Sequence, residues 1–129
     1  MDNKAFHVAY NESRNGANGF FRHSLVRFFA YSDGVKECAE AGCYWLLDII
    51  ATEFAPAIAK ATYGEHHGYV VVTVSPAKSG ADAEISLEFE EGKPVYTRKV
   101  NYTDMPVGKY EFEIGYDGTT VLFSLISEH

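Results

Sequence analysis

The chain has 129 residues, a usual length for one domain, and we predict a single domain over residues 1–129. Its net charge of −7 opposes binding to nucleic acid, whose phosphates require Lys and Arg, and favours contact with basic protein surfaces. No uninterrupted apolar run reaches the roughly 20 residues of a membrane helix, and the N-terminus lacks a signal-peptide pattern, so we expect a cytoplasmic protein that does not enter a membrane.

The first third of the chain mixes short patterns. Phe6, Val8 and Tyr10 alternate with other residues, which indicates a short edge strand, and the segment 11–19 is rich in Asn and Gly, as loops are. The apolar residues between Phe20 and Tyr31 recur every three or four positions. This spacing predicts a short helix over 20–31.

A strong helical region follows. Ser32-Asp33-Gly34 is a helix start signal, the segment 43–54 has the pattern of a central core helix, and Pro56 indicates a further short helix over 55–63. Cys38 and Cys43 are five residues apart, which turns their side chains about 140° away from each other on a continuous helix. We therefore predict two buried thiols and no disulfide.

The second half has the character of a β-sheet. The β-branched run 69–74 predicts a strand buried on both sides, and 83–90, 93–102, 109–116 and 119–126 predict further strands joined by the turns Glu91-Gly92 and Asp117-Gly118. The sequence therefore predicts an α+β fold, in which N-terminal helices pack on one face of a C-terminal antiparallel β-meander of four or five strands.

Sequence motifs of catalysis are missing. The chain has no glycine-rich phosphate loop, no H-E-x-x-H, no C-x-x-C and no G-x-S-x-G. His66-His67 could bind a metal if Glu65 joined them, but adjacent side chains in an extended segment diverge, which favours surface residues. We predict no cofactor, no metal and no enzymatic activity.

One polar cluster is conceivable in the helical half, formed by Arg22, His23, Asp33 and Asp48. Asp48 stands among apolar residues such as Trp45, which we expect in the core. A carboxylate buried there must be paired or have a raised pKa. Pairing with Arg22, His23 or Lys36 would orient the helices, whereas acid–base catalysis would require a pocket and a second matched group. The remaining alternative is that Asp48 is exposed to solvent at the edge of the core.

Acidic residues concentrate in the predicted sheet. Residues 82–129 hold ten acidic against four basic residues, a net charge of −6 out of −7. Because residues i and i+2 of a strand point to the same face, Glu88 with Glu90, and Glu111 with Glu113, are same-face neighbours. We predict a negative patch made by Glu84, Glu88, Glu90, Glu111 and Glu113. Such a patch is either a solvated face or a docking surface for a basic groove, including one that normally holds nucleic acid.

Three segments of the first half carry a family resemblance: Phe21-Arg22-His23, Tyr31-Ser32-Asp33-Gly34-Val35-Lys36, and Ala39-Glu40-Ala41-Gly42-Cys43-Tyr44-Trp45-Leu46-Leu47-Asp48-Ile49-Ile50-Ala51. Three more lie in the second half: Val95-Tyr96, Val100-Asn101-Tyr102-Thr103-Asp104-Met105-Pro106 and Leu125-Ile126-Ser127-Glu128. Over residues 19–128 the chain resembles a family of small uncharacterised proteins of bacteria, plasmids and phages. The resemblance implies a mobile-element context and carries over no catalytic residues.

Two functions follow as hypotheses. The first is a non-enzymatic protein of phage or mobile-element type that inhibits a host protein or nucleoprotein complex, such as a CRISPR effector, by binding its basic surface through the acidic sheet. The alternative is a small enzyme or ligand-binding module with its site around Arg22, His23, Asp33 and Asp48.

Overall fold

The computed structural model describes residues 4, 20–60, 67–78, 80–90, 92–103 and 105–126, with the side chain of residue 102 excepted. The strand predicted over 6–10 and the loop predicted over 11–19 lie outside the described residues. The rest of the predicted elements fall within them, apart from residues 61–63 of the helix predicted over 55–63 and Glu91 of the predicted turn Glu91-Gly92.

The described chain forms seven strands and one long kinked helix. The strands are β1 Phe20–Arg22, β2 Phe29–Ser32, β3 His67–Ala77, β4 Gly80–Glu90, β5 Lys93–Thr103, β6 Gly108–Tyr116 and β7 Val121–Leu125. The helix consists of α1 Asp33–Cys38, a π-helical turn Ala39–Cys43, α2 Tyr44–Ile49, a second π-helical turn Ile50–Phe54, and α3 Ala55–Ala59.

The strands form one mixed sheet in the order β1-β2-β7-β6-β3-β4-β5. Two of them precede the helix, and β2 pairs with β7 in parallel while the other neighbours are antiparallel. The predicted fold of N-terminal helices on a C-terminal meander of four or five strands is therefore wrong. The local patterns predicted the strands after residue 66 but not their order, because β6 passes β5 and β4 to pair with β3.

The connection from β5 to β6 crosses three strand spacings, about 14 Å. Buried Met105 belongs to the hydrophobic core and anchors this crossing. Its backbone N–H donates to Thr103 Oγ1 at 3.1 Å, and the Tyr110 hydroxyl donates to the Pro106 carbonyl oxygen at 2.8 Å. These contacts order the crossing, after which β6 pairs with β3 in an antiparallel ladder.

The segment 20–31, predicted as a helix, is instead the β1–β2 hairpin and its loop. Phe20 pairs with Ser32 and Arg22 with Ala30, so the aromatic residues that repeat at helical spacing are divided between two strands. Phe29 is fully buried, and the centroid of its ring lies 6.0 Å from the centroid of the Phe123 ring. Parallel pairing with β7 stabilises β2, and this contact is invisible to a local pattern.

The helix begins where the sequence predicted. Ser32 Oγ accepts a hydrogen bond from the Val35 backbone N–H at 3.2 Å, which caps the first turn. Gly42 has a φ of 129°, a left-handed conformation that glycine adopts readily, and the helix kinks there. The Cys43 thiol donates to the Cys38 carbonyl oxygen at 3.0 Å beside the kink. Both thiols are buried, as predicted.

The core lies between this helix and one face of the sheet. The helix contributes Leu46, Leu47, Ile50, Phe54 and Ile58, and the sheet contributes Val70, Val72, Ile85, Leu87, Phe112, Ile114 and Phe123. Trp45, predicted to be core, is only partly buried at its margin. It follows that one helix face carries most of the burial and that Trp45 lies beside that face.

By length and composition alone, the 27-residue helix Asp33–Ala59 is apolar enough to cross a membrane, although no uninterrupted apolar run predicted this. Half of its most apolar stretch is buried within the fold, as in the core helix of a soluble protein. The fold is compatible with a soluble protein.

Glu53 ties the helix to the edge strand β5. Its carboxylate accepts a hydrogen bond from the Tyr96 hydroxyl at 2.6 Å and pairs with the Arg98 guanidinium. The Phe54 ring contacts the Tyr96 ring edge-on, with centroids 5.0 Å apart. The hydrogen bond to Glu53 is the main cause that raises the Tyr96 pKa above its ordinary value of 10.0, with partial desolvation and the carboxylate charge adding to it.

We expect Phe54→Ala to lower the free energy of unfolding by about 3–5 kcal/mol, because the fully buried ring leaves a cavity. Trp45→Ala should cost clearly less, since this side chain keeps contact with water in the folded state. Urea unfolding of both variants measures the difference. Equal losses would mean that Trp45 is a core residue after all.

Glu53→Gln should lower the Tyr96 pKa towards 10.0, because the carboxylate that stabilises the protonated phenol is gone. The raised pKa means that the contact stabilises the fold below pH about 10, and that this contribution is lost as pH rises through the folded-state pKa. Ultraviolet titration of tyrosinate, with Tyr96→Phe identifying the signal, measures the shift. An unchanged midpoint in Glu53→Gln would contradict the assignment.

Candidate functional site

The face of the sheet opposite the helix is the candidate site, and we call it the open face. Val70, Val72 and Val74 of β3 point to the helix, so the alternation of the strand directs Tyr69, Val71 and Thr73 to the other side. The run 69–74, predicted to be buried on both sides, therefore has one face under the helix and one on the open face.

The register places acidic residues on both sides of β3. Tyr69 lies opposite Glu88 of β4 and opposite Glu113 of β6. Two residues further along β3, Val71 lies opposite Glu111 of β6. Two residues beyond Val71, Thr73 lies opposite Glu84 of β4. Two rows of carboxylates thus flank β3, and their strands are two spacings, about 10 Å, apart.

A groove of about 520 Å³ runs between the rows, which we call the acidic groove; it is lined by Tyr69, Val71, Glu88, Gly92, Lys109 and Glu111. A second depression of about 330 Å³ continues along the same face; it is lined by Thr73, Ser75, Asp82, Ala83, Glu84, Lys99 and Asn101. The first has an aromatic and aliphatic floor between carboxylates.

Local contacts hold several of these carboxylates in place. Lys109 Nζ lies 3.5 Å from Glu111, and His67 Nε2 lies 3.5 Å from Glu113. Glu88 Oε1 accepts a hydrogen bond from the Gly92 backbone N–H at 3.0 Å. Among its described residues the face has five carboxylates (Asp82, Glu84, Glu88, Glu111, Glu113) against Arg22, Lys99 and Lys109, so they still leave it negative.

The five predicted patch residues do not contribute equally. Glu84, Glu88 and Glu111 share the open face, and Glu113 joins them with only 16% of its side chain exposed. Glu90 lies beside the β4–β5 turn, where its carboxylate is 2.9 Å from Lys93 Nζ. The structure thus brings four of the five together, and their role in binding remains a prediction.

Sequence reasoning missed Tyr69 and Val71 as the floor of the groove. Their β-branched and aromatic neighbours made the whole strand resemble buried core. No local signal showed this position, because it depends on the pairing of β3 with both β4 and β6, and the pairing with β6 does not follow from the order of the strands along the chain.

The predicted polar cluster only partly assembles. His23 Nε2 lies 2.9 Å from Asp48 Oδ1, one of the pairings anticipated for Asp48. Arg22 instead donates to the Arg27 carbonyl oxygen, and Asp33 Oδ1 accepts from the Gly34 backbone N–H at 3.1 Å. Asp48 is not buried: 66% of its side chain is exposed, so it is both paired with His23 and open to water at the edge of the core. The residue directly follows Leu47, which faces the sheet, and one helical step of 100° carries Asp48 outward.

Both ring nitrogens of buried His23 are engaged. Nδ1 accepts hydrogen bonds from the backbone N–H groups of Leu25 at 3.1 Å and Val26 at 3.0 Å, so Nε2 carries the proton donated to Asp48. This arrangement fixes the loop between β1 and β2 to the helix. It gives His23 a structural role and leaves neither nitrogen facing a substrate.

No group of three or more His, Cys, Asp or Glu side chains in the described ranges could hold a metal ion. Of the two adjacent histidines, His67 pairs with Glu113 and His66 lies outside the described residues.

Over the described residues, the protein is an α+β fold with one long kinked helix on one side of a mixed sheet and an acidic surface on the other. The model of a protein family, described as a family of unknown function (DUF6876), matches residues 12–129 of the chain. The chain belongs to this family. No curated protein and no solved structure matches the chain.

We expect His23→Gln and His23→Asn to differ in stability. Asn places an oxygen near the position of Nδ1 and keeps an acceptor for the turn, whereas Gln reaches Asp48 and leaves the Leu25 and Val26 N–H groups without theirs. His23→Gln should therefore cost about 1–3 kcal/mol more than His23→Asn, as measured by urea unfolding.

Asp48→Asn serves as the control for the exposed end of the pair. Its cost should stay within about 1 kcal/mol, since the carboxylate is largely exposed and water can replace it as the acceptor of the His23 N–H. A larger loss from Asp48→Asn than from His23→Gln would show that the His23–Asp48 hydrogen bond contributes more to stability than the turn does.

Proposed function

We propose that the protein is a non-enzymatic binding protein whose open face docks on the basic surface of a host protein or nucleoprotein complex. One observation carries the proposal: two rows of carboxylates flank β3 on the face that the helix leaves uncovered, with Tyr69 and Val71 between them. Basic grooves built for nucleic acid present the complementary charge.

The arrangement suits a docking surface for two reasons. The carboxylates are mounted on β4 and β6, two long strands that both pair with β3, so little backbone entropy is lost when a partner binds. Tyr69 and Val71 supply an apolar centre inside a charged surround, the pattern in which interface energy concentrates.

The target we propose is a nucleic-acid-binding effector of the host, such as a CRISPR effector, with the protein acting as an inhibitor of phage or mobile-element type. An acidic sheet that occupies the channel for DNA or RNA would exclude the nucleic acid by charge and by volume. Inhibition then requires no chemistry from this chain, in keeping with the structural engagement of His23. The alternative of a small enzyme at the polar cluster draws no support from the separate positions of Arg22 and Asp33.

The experiment compares two double variants with the same charge change. Glu88→Lys with Glu111→Lys reverses the acidic groove, and Glu37→Lys with Glu40→Lys reverses two exposed residues on the helix. The probe is a purified CRISPR effector loaded with guide RNA, and fluorescence anisotropy of a labelled target duplex reports its displacement at low and high salt.

We expect the wild type to displace the duplex less well at high salt, because added salt screens exposed charges over about 8–10 Å. The groove variant should lose displacement by at least about tenfold, mainly through slower association, and the helix variant should retain it. Melting curves of both variants test folding. A folded groove variant that displaces the duplex as well as wild type would refute the open face as the docking surface, and no displacement by wild type would refute this target class.

A further inference from the structure

The loop between β1 and β2 presents an apolar side chain in a fixed position. The Leu25 side chain is 86% exposed, although its backbone N–H is held by His23 Nδ1. The backbone bonds from His23 N–H to the Phe29 carbonyl and from Phe29 N–H to the Val26 carbonyl close the loop on both sides. Since His23 also binds Asp48, the loop is fixed to the helix and does not need to be ordered on binding.

This loop is basic on an otherwise acidic chain. The segment 20–32 contains Arg22 and Arg27 and no carboxylate, whereas the whole chain has a net charge of −7. Both arginines are exposed and they flank Leu25 in the sequence. We call residues 22–27 the hairpin tip; its exposed leucine stands between two exposed arginines in the sequence.

The hairpin tip fits a surface with an apolar floor between carboxylates. The acidic groove of the same protein has this composition, with Tyr69 and Val71 between Glu88 and Glu111. Within one copy the two cannot meet, because β1 and β3 are four strand spacings, about 19 Å, apart in one sheet. The complementary surface is therefore available only on another molecule.

We propose that the hairpin tip of one copy docks in the acidic groove of a second copy, with Leu25 on the Tyr69–Val71 floor and the two arginines beside Glu88 and Glu111. The contact joins different surfaces of the two copies, so it is head-to-tail and leaves one free tip and one free groove at the ends. Arg22 donates to the Arg27 carbonyl in the free protein, and its guanidinium keeps further N–H groups for a carboxylate.

Self-association would regulate the function proposed above, and this consequence rests on that proposal. The groove that receives the hairpin tip is the surface proposed to bind the basic partner, so the two compete. At high protein concentration the acidic groove would be occupied by the hairpin tip of another copy. A basic partner that binds the groove more tightly would displace that copy.

Sedimentation velocity of the full chain, from dilute to concentrated protein at low and high salt, tests the proposal. We expect concentration-dependent association that weakens as salt is added. Leu25→Ser should weaken it at least about tenfold, the value of burying a leucine side chain. Val107→Ser removes a side chain that is 58% exposed elsewhere on the molecule, and it should leave association unchanged.

Charge exchange gives the sharper comparison. Arg22→Glu with Arg27→Glu reverses the tip, and Glu88→Lys with Glu111→Lys reverses the groove, so each variant alone should be monomeric. An equimolar mixture should associate again, because the groove of the first is acidic and the tip of the second is basic. Melting curves confirm that each variant is folded.

A monomeric wild type at every concentration, or a mixture of folded variants that stays monomeric, would overturn the proposal. The same variants separate this result from the proposed function. The tip variant keeps an intact acidic groove, so it should still displace the duplex from the effector. Displacement without self-association refutes only the second-copy contact, and self-association without displacement refutes only the proposed target.

Discussion

The structure depends on burying the apolar face of one kinked helix against one side of a seven-stranded sheet. Leu47, Ile50 and Phe54 pack there against strands whose alternate residues include Val72, Ile85 and Phe112. Burial of this kind is worth about 25 cal/mol for each Å² of apolar surface and is the main favourable contribution to folding. Among the described residues this helix covers one side of the sheet, and the alternation that fills the core places Glu84, Glu88 and Glu111 on the other side, the open face.

Two polar contacts hold this helix at opposite edges of the sheet. His23 joins Asp48 to the β1–β2 loop at one edge, and Tyr96 with Arg98 joins Glu53 to β5 at the other. Both carboxylates belong to the helix, and both partners come from edge strands or the loops beside them. Edge strands have only one hydrogen-bonded neighbour, so a side-chain contact to the helix stabilises them where backbone pairing is missing.

The sequence predicted the strands of the second half well, because β4 and β6 alternate apolar with acidic residues and Asp117-Gly118 marks a turn. Their shared face followed from the two-residue period, and the register confirms it for Glu84, Glu88, Glu111 and Glu113. The strand order could not be predicted, because it depends on the path of the β5–β6 connection, and a local pattern does not show that Met105 of this connection is buried in the core. The hairpin β1–β2 was missed because its strands are three and four residues long and are stabilised by the distant strand β7. Of the contacts in the polar cluster, the sequence predicted only the pairing of His23 with Asp48. The turn whose N–H groups bind His23 Nδ1 could not be predicted, because residues 20–31 were expected to form a helix.

The open face makes folding and binding respond to salt in opposite directions. The carboxylates of β4 and β6, on either side of β3, repel one another, and that repulsion is present in the folded sheet and much weaker in the unfolded chain. Salt screens the repulsion and therefore favours the fold, while it also screens the attraction to a basic partner and weakens the complex. In the two proposals above, the cations that would offset this cost come from a basic partner or from Arg22 and Arg27 of a second copy. The Lys109–Glu111 and His67–Glu113 contacts reduce the repulsion, and among the described residues carboxylates still outnumber basic groups on this face, around a floor formed by half-buried Tyr69 and by Val71, which is only 8% exposed.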